Sequence, residues 1–327
     1  MKILAYEVRE DEKEVLKACA DSFGVELLLS DQVPKMENAD MTAGCEGVTF
    51  LGQGTINAEL LGKWKDSGVK YISTRTVGYN HIDIQCAKEL GIQVCNASYA
   101  PNGVADFTVM LLLMCLRHYK QALWRGQVND FALGGLLGRE VRELTIGIVG
   151  TGRIGLQVMK NLSGFGAKLL CCDVVENEAA KTLGTYVDFD TLIRESDVIT
   201  LHMPLLDSTY HMIDDDAIAR MKDGVVLINC ARGELMDIGA LIRGIESEKI
   251  GALGMDTVEG EEGICHGDHR VDILANQRWF YLRQFRNVVM TQHMAFYTES
   301  AVKSMAQCGI AGICQMAAGE KCLTKLV

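Results

Sequence analysis

One stretch limits the folds open to this chain more than any other: Leu144-Thr-Ile-Gly-Ile-Val-Gly150-Thr-Gly152-Arg-Ile-Gly155. A β-type apolar run enters a Gly-x-Gly-x-x-Gly turn, and the helix-capable stretch Ile154 to Leu162 leaves it. In that context each glycine has its own mechanical duty. Gly150 permits the tight turn, Gly152 lets backbone approach a pyrophosphate, and Gly155 allows close helix–strand packing. The helix N-terminus offers the anion unpaired N–H groups and a favourable dipole. The next strand, Lys168-Leu-Leu-Cys-Cys-Asp173, ends in a carboxylate where a ribose-binding acid belongs. That acid repels a 2′-phosphate, and Val174, Val175 and Glu176 offer no cation to offset it, so NAD is expected over NADP.

Strand-like runs alternate with helical patterns on both sides of this unit, which implies parallel βαβ architecture. Before it, strands are expected at 2–8, 25–29, 47–51, 71–74 and 93–95, with helices opening at 9–14 and spanning 82–90. From 144 onward, strands at 144–149, 168–172, 198–201, 225–229, 251–255 and 288–291 complete one doubly wound sheet of six. Behind Pro101 a long apolar helix is expected over 102–120, a Gly/Leu-rich loop over 132–139, and a final helix over 300–318. A chain of 327 residues accommodates two such domains. The longest apolar stretch, Phe107 to Leu116, is far too short to span a bilayer. Met1 to Tyr6 enters a strand directly, without a signal-peptide pattern, and the 12 cysteines sit in apolar or helical contexts. A cytoplasmic protein with reduced thiols is the expectation.

The net charge of −11 excludes partners that want a basic face, such as nucleic acid or anionic membrane. It also requires a local cation wherever an anionic substrate binds. Three segments at expected strand ends supply the chemistry: Asn229-Cys-Ala-Arg232-Gly, Met255-Asp256-Thr-Val-Glu-Gly-Glu261, and Thr291-Gln-His293. In an open parallel sheet, the carboxyl ends of the strands form the ligand crevice. Reducing a 2-oxo acid needs a hydride, a proton for the developing alkoxide and a cation for the carboxylate. His293 can supply the proton, Glu261 can orient its ring, and Arg232 offers a planar fork.

Other groups have plainer readings. His202, at a strand end, is a possible cofactor neighbour, whereas His81, His118 and His211 read as surface or capping groups. Cys265-His266 with His269 lacks the paired knuckle that zinc requires, so no metal is expected. Cys171-Cys172 and the methionine-rich C-terminal helix read as packing, and Asp214-Asp215-Asp216 as a helix start.

The chain resembles the D-2-hydroxyacid dehydrogenase family over almost its whole length. The likeness is carried by Thr74-Arg-Thr-Val-Gly78-Tyr-Asn-His-Ile-Asp83, Ser98-Tyr-Ala-Pro101, Gly150–Gly155, Asn229–Gly233, Met255–Glu261 and His293-Met-Ala-Phe-Tyr297. It is most similar to the D-lactate, D-2-hydroxyisocaproate and D-phenyllactate branch. The resemblance implies two Rossmann-like α/β parallel-sheet domains with a cleft between them. A flavodoxin-like substrate domain (1–98 and 298–327) and a doubly wound NAD-binding domain (99–297) are expected. It puts the catalytic set on Arg232, Glu261 and His293. Cofactor contacts fall on Gly150, Gly152, Arg153, Ile154, Gly155, Asp173, Met203, Pro204, Thr209, Cys230, Ala231, Arg232 and Asp256, the last near the nicotinamide carboxamide. Substrate contacts fall on Leu51, Val77, Gly78, Tyr99, Arg232, His293 and Phe296. It also implies a homodimer through the NAD-binding domain. The chain departs from the family at two positions. Gln292 stands where many relatives have proline, and Leu51 stands near a tyrosine of lactate-specific relatives, which favours branched or aromatic 2-oxo acids over pyruvate. A formate dehydrogenase would pair its histidine with glutamine. An NAD(H)-sensing protein on the same scaffold would not need the intact Arg–Glu–His set.

Overall fold

Strands rich in aliphatic residues on both faces demand cover on both faces, which is the condition for an all-parallel sheet. The computed structural model, which describes all 327 residues, builds two such sheets in two units. One unit is Met1–Ala100 with Tyr297–Val327, the other Pro101–Phe296; the sequence reading drew these limits at 98/99 and 297/298.

The first unit holds β1 (Lys2–Ala5), β2 (Glu26–Leu29), β3 (Gly47–Phe50), β4 (Tyr71–Thr74) and β5 (Gln93–Cys95), in the order β2-β1-β3-β4-β5. Tyr6, Phe50 and Trp64 pack on one side of this sheet. Ile310 and Ile313 of the last helix, Glu299–Ala317, pack with Ile3 and Cys95 in a second cluster. The first strand is shorter than expected. It stops at Ala5 because Glu7 takes a left-handed φ of +54°, which turns the chain out of the sheet. The helix after it begins as a 3₁₀ turn, Glu10–Glu12, and continues as Lys13–Phe23.

The second unit holds β6 (Thr145–Val149), β7 (Lys168–Cys172), β8 (Thr185–Tyr186), β9 (Val198–Leu201), β10 (Val225–Asn229), β11 (Ile250–Met255) and β12 (Val288–Met290). Their order is β12-β11-β10-β9-β6-β7-β8, so the sheet has a seventh strand where six were expected. That strand, β8, is only two residues long and gives no alternation to read. The apolar helix is also shorter than its pattern. It runs Asn102–Leu116, breaks where His118 takes φ +51°, and resumes as Tyr119–Gln127. Histidine is among the residues that tolerate this conformation, and the His118 ring meets the Leu137 carbonyl at 3.0 Å. No helix is long and apolar enough to cross a membrane.

Candidate active site

Register brings the site together. Val149 pairs with Leu201, Leu201 with Asn229, Asn229 with Met255 and Met255 with Met290, so five strands of the second unit end on one line. Gly150, His202, Cys230, Asp256 and Thr291 each lie one residue beyond that line.

The glycine loop obeys its expected mechanics. Gly150 has φ +93°, and a Cβ there would lie 2.7 Å from the His202 carbonyl. A Cβ on Gly155 would lie 1.9 Å from the Gly150 carbonyl oxygen, so only glycine lets the helix Arg153–Ser163 seat against the turn. At Gly152 a Cβ would meet nothing within 4 Å, so backbone borders open space at the start of that helix. This geometry fits a pyrophosphate. Arg153 is exposed and Ile154 half-buried on the helix's first turn. Asp173 Oδ2 accepts from the Thr151 amide (2.6 Å) and hydroxyl (3.2 Å), while Oδ1 accepts from Val174 N–H (2.7 Å). Val174 beside it is 99% exposed and carries no charge that could attract a 2′-phosphate. Sequence reasoning missed the brace behind this loop. Tyr186 OH on β8 shares a hydrogen bond with Thr151 Oγ1 (2.6 Å), and Asn177 Nδ2 donates to the Thr151 carbonyl (3.0 Å).

After β9, Met203 is half-buried and Pro204 exposed. Thr209 closes this loop on itself, accepting from Leu206 N–H (2.8 Å) and donating to the Pro204 carbonyl (2.9 Å). His202 is not exposed. Burial pulls its imidazole down to about 3, and Nε2 shares a hydrogen bond with Thr200 Oγ1 (2.9 Å).

After β10, Cys230 is buried and its thiol is pushed far up by desolvation. The buried Asn229 shapes the turn that follows, accepting from Ala231 N–H (2.9 Å) and donating to the Arg232 carbonyl (2.7 Å). Gly233 is obligatory there, because a Cβ would lie 2.2 Å from Glu259 N. Arg232 is half-buried, and Nη1 donates to the Ala231 carbonyl (2.6 Å).

His293 and Glu261 meet as expected. His293 Nδ1 donates to Glu261 Oε1 at 2.6 Å, and the two side chains are 33% and 17% exposed. Glu261 is held in turn by Val258 N–H on Oε2 (2.8 Å). A carboxylate only accepts, so Nδ1 carries its proton toward Glu261 and Nε2 is the ring nitrogen this bond leaves over. His293 has φ +53°, and its loop is pinned by Asp256, 1% exposed. Asp256 Oδ1 accepts from Thr291 Oγ1 (2.6 Å) and Met294 N–H (2.8 Å), and Oδ2 from Ala295 N–H (2.7 Å). The carboxylate read from sequence as a cofactor contact thus turns both oxygens to the histidine loop. His266 Nε2 donates to the His293 carbonyl (2.9 Å), and its ring and that of Phe296 stand 6.1 and 6.3 Å from His293.

Two histidines read from sequence as surface or capping groups are half-buried and have partners. His81 packs edge-on against Phe50, 5.8 Å between centroids, and His211 Nε2 meets Glu259 Oε1 at 2.7 Å. The remaining expected substrate residues lie in the first unit, after the ends of β3, β4 and β5. Leu51 is buried (6% exposed), Val77 is exposed (41%), and Gly78 and Tyr99 are half-buried.

A family model described as D-isomer specific 2-hydroxyacid dehydrogenase, NAD binding domain, matches residues 109–295. An aromatic 2-oxoacid reductase of Clostridium sporogenes is 46% identical over 311 residues, covering 94% of this chain and 93% of that one. A D-lactate dehydrogenase of Escherichia coli is 36% identical over 329 residues, covering 100% of both. The NAD-complexed structure of a D-isomer specific 2-hydroxyacid dehydrogenase from Lactobacillus delbrueckii ssp. bulgaricus superposes with a TM-score of 0.83 at 32% identity, over 100% of both chains.

Proposed function

This chain belongs to the D-isomer specific 2-hydroxyacid dehydrogenases, NAD-dependent oxidoreductases acting on CH–OH groups, and we propose that it reduces 2-oxo acids with branched or aromatic side chains. The observation that carries the catalytic assignment is the 2.6 Å bond from His293 Nδ1 to Glu261, which leaves Nε2 to face the substrate. When bound, the reduced nicotinamide supplies a hydride to C2 of the 2-oxo acid. As the C2 carbonyl pair moves onto oxygen, that oxygen takes the proton from His293 Nε2, and the imidazolium becomes neutral imidazole. Glu261 orients the ring through that bond. Arg232 holds the carboxylate and keto oxygen with its planar fork, the local cation that a chain of charge −11 needs.

Main chain at Val77 and Gly78 is assigned to the substrate carboxylate, and Leu51, Tyr99 and Phe296 to its side chain. Gly150, Gly152, Arg153, Ile154, Gly155, Asp173, Met203, Pro204, Thr209, Cys230, Ala231 and Asp256 are assigned to the cofactor. The preference for larger side chains rests on aliphatic Leu51 and agrees with the aromatic 2-oxoacid reductase at 46% identity. We further assign a cytoplasmic location, consistent with 12 free thiols, and a homodimer through the second unit. That unit presents an apolar surface along its long helix, lined by Val109, Met110, Leu113 and Met114.

The deciding experiment follows NADH oxidation at neutral pH with pyruvate, 2-oxoisocaproate, phenylpyruvate and 2-oxoglutarate, beside His293→Ala. Fastest turnover with phenylpyruvate or 2-oxoisocaproate, and its loss in the variant, is expected. Pyruvate as much the best substrate would replace the side-chain assignment with a strict lactate dehydrogenase. Full activity in His293→Ala would remove the catalytic one.

A further inference from the structure

Glu7 leaves the first sheet at φ +54°, a conformation that costs a non-glycine residue free energy. The residue is 4% exposed, and its carboxylate gathers four successive main-chain amides from the loop after β3. Oε2 accepts from Leu51 N–H (2.5 Å) and Gly52 N–H (2.7 Å), and Oε1 from Gln53 N–H (2.9 Å) and Gly54 N–H (3.2 Å). Four amides aimed at one point form an anion-binding concavity, here filled by the chain's own carboxylate. The strained backbone is held from behind. Arg75 Nη2 donates to the carbonyls of Tyr6 (2.9 Å) and Glu7 (3.2 Å), and its Nε to the fully buried Glu12 (3.2 Å).

The other side of this loop leads to the next one. Gly52 has φ +85°, and the His81 ring lies where its Cβ would be, 2.6 Å away. His81 Nε2 meets Thr74 Oγ1 (3.1 Å), Thr74 Oγ1 meets Thr76 Oγ1 (2.6 Å), and Thr76 Oγ1 donates to the Gly78 carbonyl (2.7 Å). An unbroken path therefore runs from Glu7, through loop 51–54 and His81, to segment 76–78.

We propose that Glu7 is a positioning residue for substrate recognition. By gathering the amides of Leu51–Gly54 it fixes the loop that selects the 2-oxo acid side chain, and through Gly52 and His81 it steadies the Val77–Gly78 main chain that takes the carboxylate. The inference rests on the assignment of Leu51, Val77 and Gly78 to the substrate. Without the carboxylate, the buried Leu51 amide and the part-buried amides of Gly52–Gly54 lose their acceptor, and the loop must rearrange to bring Leu51 N–H to water.

The test compares full-length Glu7→Ala, Glu7→Gln and Leu51→Tyr in steady-state kinetics with pyruvate, phenylpyruvate and NADH. Both Glu7 variants should raise KM for the 2-oxo acids about tenfold, consistent with displacement of a binding loop, while kcat and KM for NADH stay near wild type. The preference between phenylpyruvate and pyruvate should change as well. Acetate or formate should restore Glu7→Ala by filling the vacated concavity. Neither should help Glu7→Gln, whose amide occupies the space and presents a donor to donors, nor wild type.

Wild-type KM and preference in folded Glu7→Gln would overturn the inference. So would a matching rise in KM for NADH without an acetate response, which marks general damage, or failure of both variants to fold. If Leu51→Tyr shifts the preference and the Glu7 variants do not, only the role of Glu7 falls. If Leu51→Tyr leaves the preference unchanged, the substrate assignment of the loop falls and carries this inference with it.

Discussion

Two glycine-bearing loops of this protein follow the carboxyl ends of parallel strands, and they treat anions in opposite ways. Loop 51–54 turns four amides onto the carboxylate of Glu7. Loop 150–155 yields one amide, that of Thr151, to Asp173 and borders open space at Gly152. Glycine after a strand therefore makes a concavity of amides available without saying what fills it. A neighbouring strand decides, by sending or withholding a carboxylate. β1 lies beside β3 and delivers Glu7. β7 lies beside β6 and delivers Asp173 only as far as the first amide.

The comparison breaks most visibly at Gly155. Gly155→Ala would set a methyl 1.9 Å from the Gly150 carbonyl oxygen, forcing the helix off the turn. A loss of about 3 kcal/mol in urea unfolding is expected, with NADH fluorescence titration showing no saturable binding. Wild-type values in both assays would mean that the open loop is not held by packing.

Acid acts on the same loop through His202, whose carbonyl abuts Gly150. Burial lowers the imidazole from 6.5 to about 3 in the folded chain. The unfolded chain therefore takes up a proton on passing below pH 6.5, while the folded one waits until about pH 3. This contribution is fully present above pH 6.5 and is lost as pH falls, by about 1–2 kcal/mol between pH 7 and 5. Urea midpoints at the two pH values should differ in wild type and converge in His202→Asn. Equal slopes in both proteins would count against it.

The smallest effect sharpens the comparison. Gly152→Ala puts a methyl where nothing lies within 4 Å, so unfolding should be unchanged. NADH binding should nevertheless weaken about tenfold, or about 1.4 kcal/mol, because the methyl occupies the space left for the pyrophosphate. Unaltered affinity would place the anion elsewhere.

The nucleotide-binding half was legible because its constraints are local. Gly150, Gly152 and Gly155 are set by neighbours a few residues away, and the Arg232, Glu261 and His293 segments each follow a readable strand. The supports were not legible, because their partners are distant in sequence. Glu7 reaches Gln53 across 46 positions, Tyr186 reaches Thr151 across 35, and Asp256 reaches Met294 across 38. No periodicity encodes such pairs, and β8 is too short to alternate. The apolar stripe that predicted a helix to 120 could not show that His118 would take a left-handed turn.

The family resemblance puts Gln292 where many relatives carry proline, and in this chain the histidine loop is ordered by three hydrogen bonds to Asp256. A pyrrolidine ring restrains backbone by covalent geometry, which warming does not release. Hydrogen bonds are released by warming, and loops close to the surface open before the sheets that carry them. Catalysis in this chain is therefore expected to fail at a lower temperature than the fold does. Its signature is a turnover rate that falls on heating while the far-ultraviolet circular dichroism is still flat; a rate that holds until the dichroism collapses would show that Asp256 secures the loop as firmly as proline does.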